Sequence, residues 1–287
     1  LISLEGPAPA KPLGTFSAFT AADAAKLARR RDVQIDVGGG RRVQTFVVEP
    51  VNPPPGPKKS YLWIHGGPVS AWTDGWHWRW SPLLLAAQGY TVILPNPAGS
   101  TGFGNSWIND IWGNTWGAQC YDDLMAVVDH FAATEDLQPA NMIVMGGSFG
   151  GYMSNWIGAN TDRFKLLITH ASIFSLAGFY GVTDVPAWWS LMMGGSPFEG
   201  DVDFERYSPS AHVKGWRTPT LILHGERDYR VPVGESLQLF EALQAEGVPS
   251  EFAVFPDENH WITKPNNIIA WYETVFDFVA RHDADAL

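Results

Sequence analysis

The stretch "VMGGSFGGYM" (residues 144–153) sets one serine, Ser148, between two glycine pairs. Glycine loses more backbone freedom on folding than any other residue, so such a cluster is expected where the chain turns sharply or passes close to another backbone. Ahead of it, "NMIVM" (141–145) is a short apolar run that reads as a buried strand. Behind it, "YMSNWIGA" (152–159) places Met153 and Trp156 at helical spacing. The frame is strand, tight turn, helix, with Ser148 at the turn. The spacing Gly146-x-Ser148-x-Gly150 in that frame fits a strained elbow that lifts a serine hydroxyl above a sheet, the bare glycines letting strand and helix close up.

The same rhythm continues on both sides. "SYLWI" (60–64), "YTVILP" (90–95), "KLLITH" (165–170), "PTLILH" (219–224) and "EFAVF" (251–255) read as further strands. Ser81 and Pro82 open a helix as N-cap and first-turn proline, and Gly89 closes it. In "GESLQLFEALQAEG" (234–247), Leu237, Phe240 and Leu243 recur at helical spacing. Upstream, "DVQIDVGGGRRVQTFVVEP" (32–50) alternates around Gly38, Gly39 and Gly40 and reads as a hairpin, whereas the proline-rich "LISLEGPAPAKPLG" (1–14) reads as a linker. Continuous apolar strands alternating with helices predict an α/β fold, a mostly parallel central sheet with helices on both faces.

Composition narrows the function classes. A chain of 287 residues, 45% hydrophobic and 17% charged, can bury one large core. The net charge of -11, with no basic stripe beyond Arg29, Arg30 and Arg31, argues against nucleic acid as a partner. That triplet reads as a solvated helix end. The single cysteine, Cys120, excludes an internal disulfide framework and leaves no Cys-His spacing for zinc, so no metal and no cofactor is assigned. No apolar run approaches the ~20 residues of a membrane span, and a signal peptide is not evident, so any targeting segment is expected outside this chain. The compartment stays open between cytoplasmic and periplasmic or secreted. Fourteen tryptophans are unusual; the bunches "WTDGWHWRW" (72–80) and "AWWS" (187–190) read as lining of an aromatic cleft ahead of core.

A serine hydroxyl is a weak nucleophile, so it needs a base in hydrogen-bond reach and a third group to orient the base. With an elbow serine these follow in the order serine, acid, histidine, each in a loop after a strand. After "LIL" comes "HGERDYRVP", placing Asp228 past the strand end; after "EFAVF" comes "PDENHWI", placing His260 in the equivalent loop. Of the eight histidines, His65, His77 and His130 precede the serine, His212 precedes the acid, His170 and His224 end strands, and His282 lies in the C-terminal tail. Asp257 and Glu258 lie too close in sequence to His260 to approach its ring easily. A tetrahedral intermediate also needs two donors: the N–H of Phe149, and a glycine N–H of "WIHGGP" (63–68) after an early strand.

These residues resemble the catalytic domain of the prolyl oligopeptidase family of serine peptidases, which has the α/β-hydrolase fold. The carrying motifs are "HGGP" (65–68), "NPAGSTGFG" (96–104), "GGSFGGYM" (146–153), "HGERDYRVP" (224–232) and "PDENHW" (256–261), spread over residues from about 33 to 281. Within the family the likeness is to the dipeptidyl peptidase V and bacterial acylaminoacyl peptidase branch. The resemblance implies Ser148 as nucleophile, Asp228 as orienting acid, His260 as base, and Gly67 with Phe149 as oxyanion donors. It implies an apolar pocket for the residue before the scissile bond at Ile173, Leu176, Phe179 and Val231. Arg230 is read as a substrate-carbonyl contact ahead of a surface arginine paired with Glu226. Family members carry an N-terminal β-propeller, absent here, so residues 1–32 read as a linker or the remnant of its exit and 33–287 as the catalytic domain. The family's arginine in the Asn-x-Arg-Gly-Ser turn is Ala98 in this chain, and the salt bridge it makes is expected to be lost. The activity implied is release of dipeptides or blocked N-terminal residues from short peptides. A carboxylesterase acting on small acyl esters is the alternative, and a non-catalytic binding module the remote one. A homo-oligomer is left open.

Overall fold

The side-chain period of two decides which way each strand faces. In β3 (Ser60–Ile64), Leu62 and Ile64 enter one core while Tyr61 and Trp63 enter another. The same division separates Val144 from Ile143 and Met145 in β5 (Met142–Gly147), Leu167 from Leu166 and Ile168 in β6 (Leu166–His170), and Ile222 from Leu221 and Leu223 in β7 (Thr220–Gly225). A sheet apolar on both faces needs cover on both. One face receives α4 (Gln119–Glu135), α5 (Phe149–Asn160), α7 (Pro186–Met193) and α8 (Gly234–Ala245); the other receives α2 (Pro82–Ala87) and α9 (Pro265–His282).

The computed structural model describes residues 20–75 and 77–282. The linker expected at 1–14 lies outside the described residues. The sheet has eight strands in the order β1-β2-β4-β3-β5-β6-β7-β8, with β1 (Ala28–Gly38), β2 (Arg41–Pro50), β4 (Thr91–Asn96) and β8 (Ser250–Phe255) completing it. β2 runs antiparallel to β1 and to β4; from β4 to β8 every pairing is parallel. The expected hairpin turns at Gly39 and Gly40, at φ +59° and +75°, the left-handed region that glycine enters freely. β5 lies inside the sheet between β3 and β6, so the turn that follows it opens at the carboxyl ends of the parallel strands, where ligands of open α/β sheets bind.

Several local expectations are corrected. Arg29, Arg30 and Arg31 lie on edge strand β1, not at a helix end, and β1 starts at Ala28, ahead of the expected boundary at 33. Arg31 reaches Glu49 (2.9 Å) and Glu135 (2.7 Å), and Arg30 reaches Asp74 and stacks 5.0 Å from the Phe46 ring, a charged edge of the kind that discourages strand addition. Ser81 precedes α2 but its side chain makes no capping bond; its N–H donates to Tyr272 Oη instead (3.0 Å). The buried stripe of α8 is Ser236, Leu239 and Leu243, and Leu237 is exposed, because Glu235 turns inward to accept the N–H groups of Phe174 and Ser175 (both 2.8 Å). Ala98 does not leave its neighbourhood without an ion pair. The buried Asp123 accepts the Ala98 N–H (2.8 Å) and pairs with Arg41 from β2 (2.9 Å), which also binds Asp110 (2.6 Å) and lies 4.0 Å from the Trp107 ring.

Candidate active site

Ser148 is the residue between β5 and α5, at φ 58° and ψ -119°, a conformation that costs a non-glycine residue roughly 1–3 kcal/mol. Its surroundings hold it there. The Ser148 N–H donates to His170 O at the end of β6 (2.9 Å), and its carbonyl accepts from Tyr152 N–H (2.9 Å). The flanking glycines carry out the predicted close approach. A Cβ on Gly146 would lie 2.3 Å from Gly150 O, and one on Gly150 would lie 2.2 Å from Ile64 O. Strand β3, strand β5 and helix α5 therefore meet backbone to backbone beneath the serine.

Asp228 and His260 come together from loops after β7 and β8. Asp228 Oδ2 accepts from His260 Nδ1 (2.6 Å), and since a carboxylate only accepts, that nitrogen carries the hydrogen. Oδ1 accepts the N–H groups of Arg230 and Val231 (both 2.9 Å). His224 Nε2 adds a contact to Oδ2 at 3.3 Å and donates to Val231 O (2.7 Å). Burial alone would raise the Asp228 pKa, but the hydrogen bonds from His224 and His260 outweigh it and hold the carboxyl ionised, well below its ordinary range. The His260 loop is stapled by Glu258, which is buried and accepts from the N–H groups of Thr263 and Lys264 (2.8 Å each) and from Asn267 Nδ2 (2.8 Å). That structural duty, not the triad, is what Glu258 performs.

A cavity of about 500 Å³ joins these parts: Ser148, His260, Gly66 and Gly67 all line it. Gly67 sits at φ +130°, and a Cβ on Gly66 would meet Gly147 O at 3.2 Å and Ser148 Cβ at 3.5 Å, so the "HGGP" backbone passes directly over the serine. Phe149 opens α5, leaving its N–H among those the first turn does not pair. His65 is fixed in one tautomer: Nδ1 donates to Gly66 O (2.7 Å), so Nε2 accepts from Ser100 Oγ (2.9 Å). Burial lowers its pKa to about 4, keeping it neutral.

The tryptophan bunches divide. Trp72 and Trp80 line the cavity with Trp63, Trp261 and Trp271, whereas Trp189 is fully buried against Trp116 (ring centroids 4.6 Å) and belongs to core. Ile173, Leu176, Phe179 and Val231 lie in the core on the other face of the sheet, and none of them borders the cavity. Arg230 is paired with Asp184 (2.6 Å), not with Glu226, and its side chain is half-exposed. Sequence reasoning missed His224 and Arg79. His224 ends a strand four residues before Asp228, close enough to have been weighed as a second partner for the acid; Arg79 carried the signal of a lone cation among tryptophans in "WHWRW". Among the described residues no group of His, Cys, Asp or Glu side chains is placed to hold a metal, and no helix is long and apolar enough to cross a membrane.

Comparison with known proteins agrees with this architecture. The chain is 35% identical over 279 residues to dipeptidyl-peptidase 5 of Porphyromonas endodontalis, a match covering 93% of this chain and 40% of that protein. It is 40% identical over 229 residues to a probable dipeptidyl-peptidase 5 of Aspergillus clavatus, covering 76% and 31%. Among solved structures, an acylaminoacyl peptidase of Pyrococcus horikoshii superposes with a TM-score of 0.82 at 22% identity, covering 90% of this chain and 42% of that one. A puromycin-hydrolyzing peptidase of Mycobacterium tuberculosis gives 0.82 at 26%, covering 90% and 40%. The likeness bears out the α/β-hydrolase fold. The chain spans well under half the length of these relatives. The family model described as prolyl oligopeptidase family matches residues 76–285, most of the chain and both loops that carry Asp228 and His260, and the chain belongs to that family.

Proposed function

We propose that this chain is the catalytic part of a serine peptidase that hydrolyses short peptides near the N-terminus, with Ser148 as nucleophile, His260 as general base and Asp228 as the group that orients it. The observation that carries the reading is the 2.6 Å bond from His260 Nδ1 to Asp228, which turns the second ring nitrogen, Nε2, into the acceptor a serine hydroxyl requires. In the reading, His260 takes the proton of Ser148 as its oxygen bonds to the substrate carbonyl carbon. The developing oxyanion is met by the N–H groups of Phe149 and Gly67. His260 then returns the proton to the leaving amine, the C–N bond breaks, and water hydrolyses the acyl-enzyme by the same route.

The residue before the scissile bond is assigned to the apolar set Ile173, Leu176, Phe179 and Val231, which is packed shut here but adjoins the acid through the Val231 N–H. Apolar residues there should exceed lysine or glutamate by about tenfold or more in kcat/KM, because an unpaired charge in such a site carries a desolvation cost of a few kcal/mol. Arg230, engaged with Asp184, is assigned no substrate contact. Among the described residues none of the side chains lining the cavity is acidic, so none of them grips a free amine by an ion pair. That favours blocked N-terminal residues or small acyl esters for this chain alone, and the proposal extends to a β-propeller outside it that would supply dipeptidyl specificity. A panel of acyl-aminoacyl and dipeptidyl anilides beside nitrophenyl esters separates these. Fluorophosphonate labelling tests the nucleophile: Ser148→Ala should lose the label and nearly all turnover, and undiminished labelling would assign the chemistry to another serine.

A further inference from the structure

Among the described residues Arg79 is the one permanently charged side chain lining the cavity, and none of them supplies it with a counter-ion. It is 7% exposed, yet no carboxylate among the described residues lies within ion-pair distance of it. Glu258, whose field reaches it, has both oxygens engaged with Thr263, Lys264 and Asn267. The guanidinium is instead held among indoles, 4.8 Å from the Trp80 ring, 5.3 Å from Trp261 and 5.8 Å from Trp78. Nη1 donates to Trp261 O, while Nε is buried with no hydrogen-bond partner among the described residues.

Burying an arginine this way is unfavourable: guanidinium stays ionised, and a buried charge is normally paired. A rigid, pre-positioned guanidinium with aromatic walls and unpaired charge is what charge-assisted capture of a carboxylate needs. Its position says which part of a substrate supplies that carboxylate. His260 must return its proton to the leaving amine, so the leaving group departs on the His260 side; Trp261 follows directly in the chain, and Arg79 binds its carbonyl. The apolar set assigned to the acyl side lies on the other face of the sheet.

We propose that Arg79 is the receptor for the free α-carboxylate of the leaving group, so that the preferred substrates are short peptides ending within one or two residues of the scissile bond. The inference rests on the peptidase reading and names its substrate class. Arg79 touches the departing product and neither makes nor breaks a bond: the amine leaves with the proton from His260, and its carboxylate stays on Arg79 until release.

The test keeps the acyl part of whichever anilide is turned over best and varies only the leaving group, alanine against alaninamide. The wild-type chain should favour the free acid by about tenfold or more in kcat/KM, mainly through KM. Arg79→Gln should bring the ratio to about one and Arg79→Lys should retain part of it, since an ammonium keeps the charge without the fork. A wild-type ratio near one, or a preference surviving in Arg79→Gln, overturns the proposal. So does an acid preference that instead follows acidic side chains on the acyl part and vanishes with Arg79→Gln. Should the variants fail to fold, product inhibition of the wild type decides: free dipeptide acids should inhibit anilide hydrolysis at lower concentration than their amides, and equal inhibition refutes Arg79 as receptor. Failure of the peptidase reading looks different, namely no turnover of any anilide or ester and no fluorophosphonate label on Ser148.

Discussion

Two glycine-to-alanine substitutions on helices of this chain should behave oppositely, and the difference follows from backbone geometry. Gly150 lies in the first turn of α5, where a Cβ would stand 2.2 Å from Ile64 O and 2.9 Å from His65 O. Ordinary contact begins near 3.4 Å, so β3 and α5 must separate by about 1 Å, and the obstacle is backbone that cannot rotate away. Overpacking of a rigid site costs typically 1–3 kcal/mol, set against a helix-propensity gain of up to about 1 kcal/mol. The same movement displaces the Gly66 and Gly67 backbone relative to Ser148. A misplacement of about 1 Å in a catalytic constellation can cost ~100-fold in rate, which corresponds to about 2.7 kcal/mol. Gly234 opens α8 with nothing within 4 Å of its added Cβ and serves as the comparison. Urea midpoints and kcat/KM on the best anilide should show Gly150→Ala destabilised by about 1–3 kcal/mol and slowed by roughly a hundredfold, with Gly234→Ala as stable as wild type or slightly more so. If Gly150→Ala matches Gly234→Ala in both measurements, the backbone-to-backbone elbow is not what holds Ser148 in place.

Asp228→Asn should lower kcat by about four powers of ten while leaving fluorophosphonate-accessible Ser148 folded, because an amide facing His260 Nδ1 permits the wrong tautomer; a loss under tenfold would count against Asp228 as orienting acid. Arg41→Met should destabilise by roughly 3 kcal/mol in urea, since it leaves the fully buried Asp123 carboxylate without its cation, and restoring an arginine at Ala98 in that background should recover part of it. Stability should also fall on acidification through the histidines. Burial lowers the pKa of His65 to about 4 and of His170 to about 3, against ~6.5 in the unfolded chain. A depressed histidine stabilises the fold fully above ~6.5, and that contribution disappears as the pH drops toward the folded value. For His65 the loss amounts to about 3 kcal/mol, complete below pH 4. Urea midpoints at pH 7 and pH 4.5 measure it, and a slope unchanged in His65→Gln would show that His65 takes no part.

The sequence by itself determined the sheet and the elbow. Strand β5, the turn at Ser148 and helix α5 are local: an apolar run of period-two residues, glycines where backbones touch, and a helical repeat sit in consecutive positions, so each can be read without knowing the fold. Asp228 and His260 were legible for a related reason, since chain order and position after a strand suffice to place a loop at the same sheet end as the serine. Whatever depended on two distant segments meeting was not legible. Arg41 and Asp123 stand 82 residues apart, and nothing near either one names the other. The inward turn of Glu235, which shifts the buried stripe of α8 away from Leu237, answers to N–H groups of a loop 60 residues earlier. Trp72 and Trp189 come from equally dense tryptophan bunches, yet one borders the cavity and the other is core, because burial is decided by which face of the sheet a segment packs on. Arg79 is the strongest case: its sequence shows a cation among indoles, and only the tertiary structure shows that no carboxylate among the described residues pairs with it.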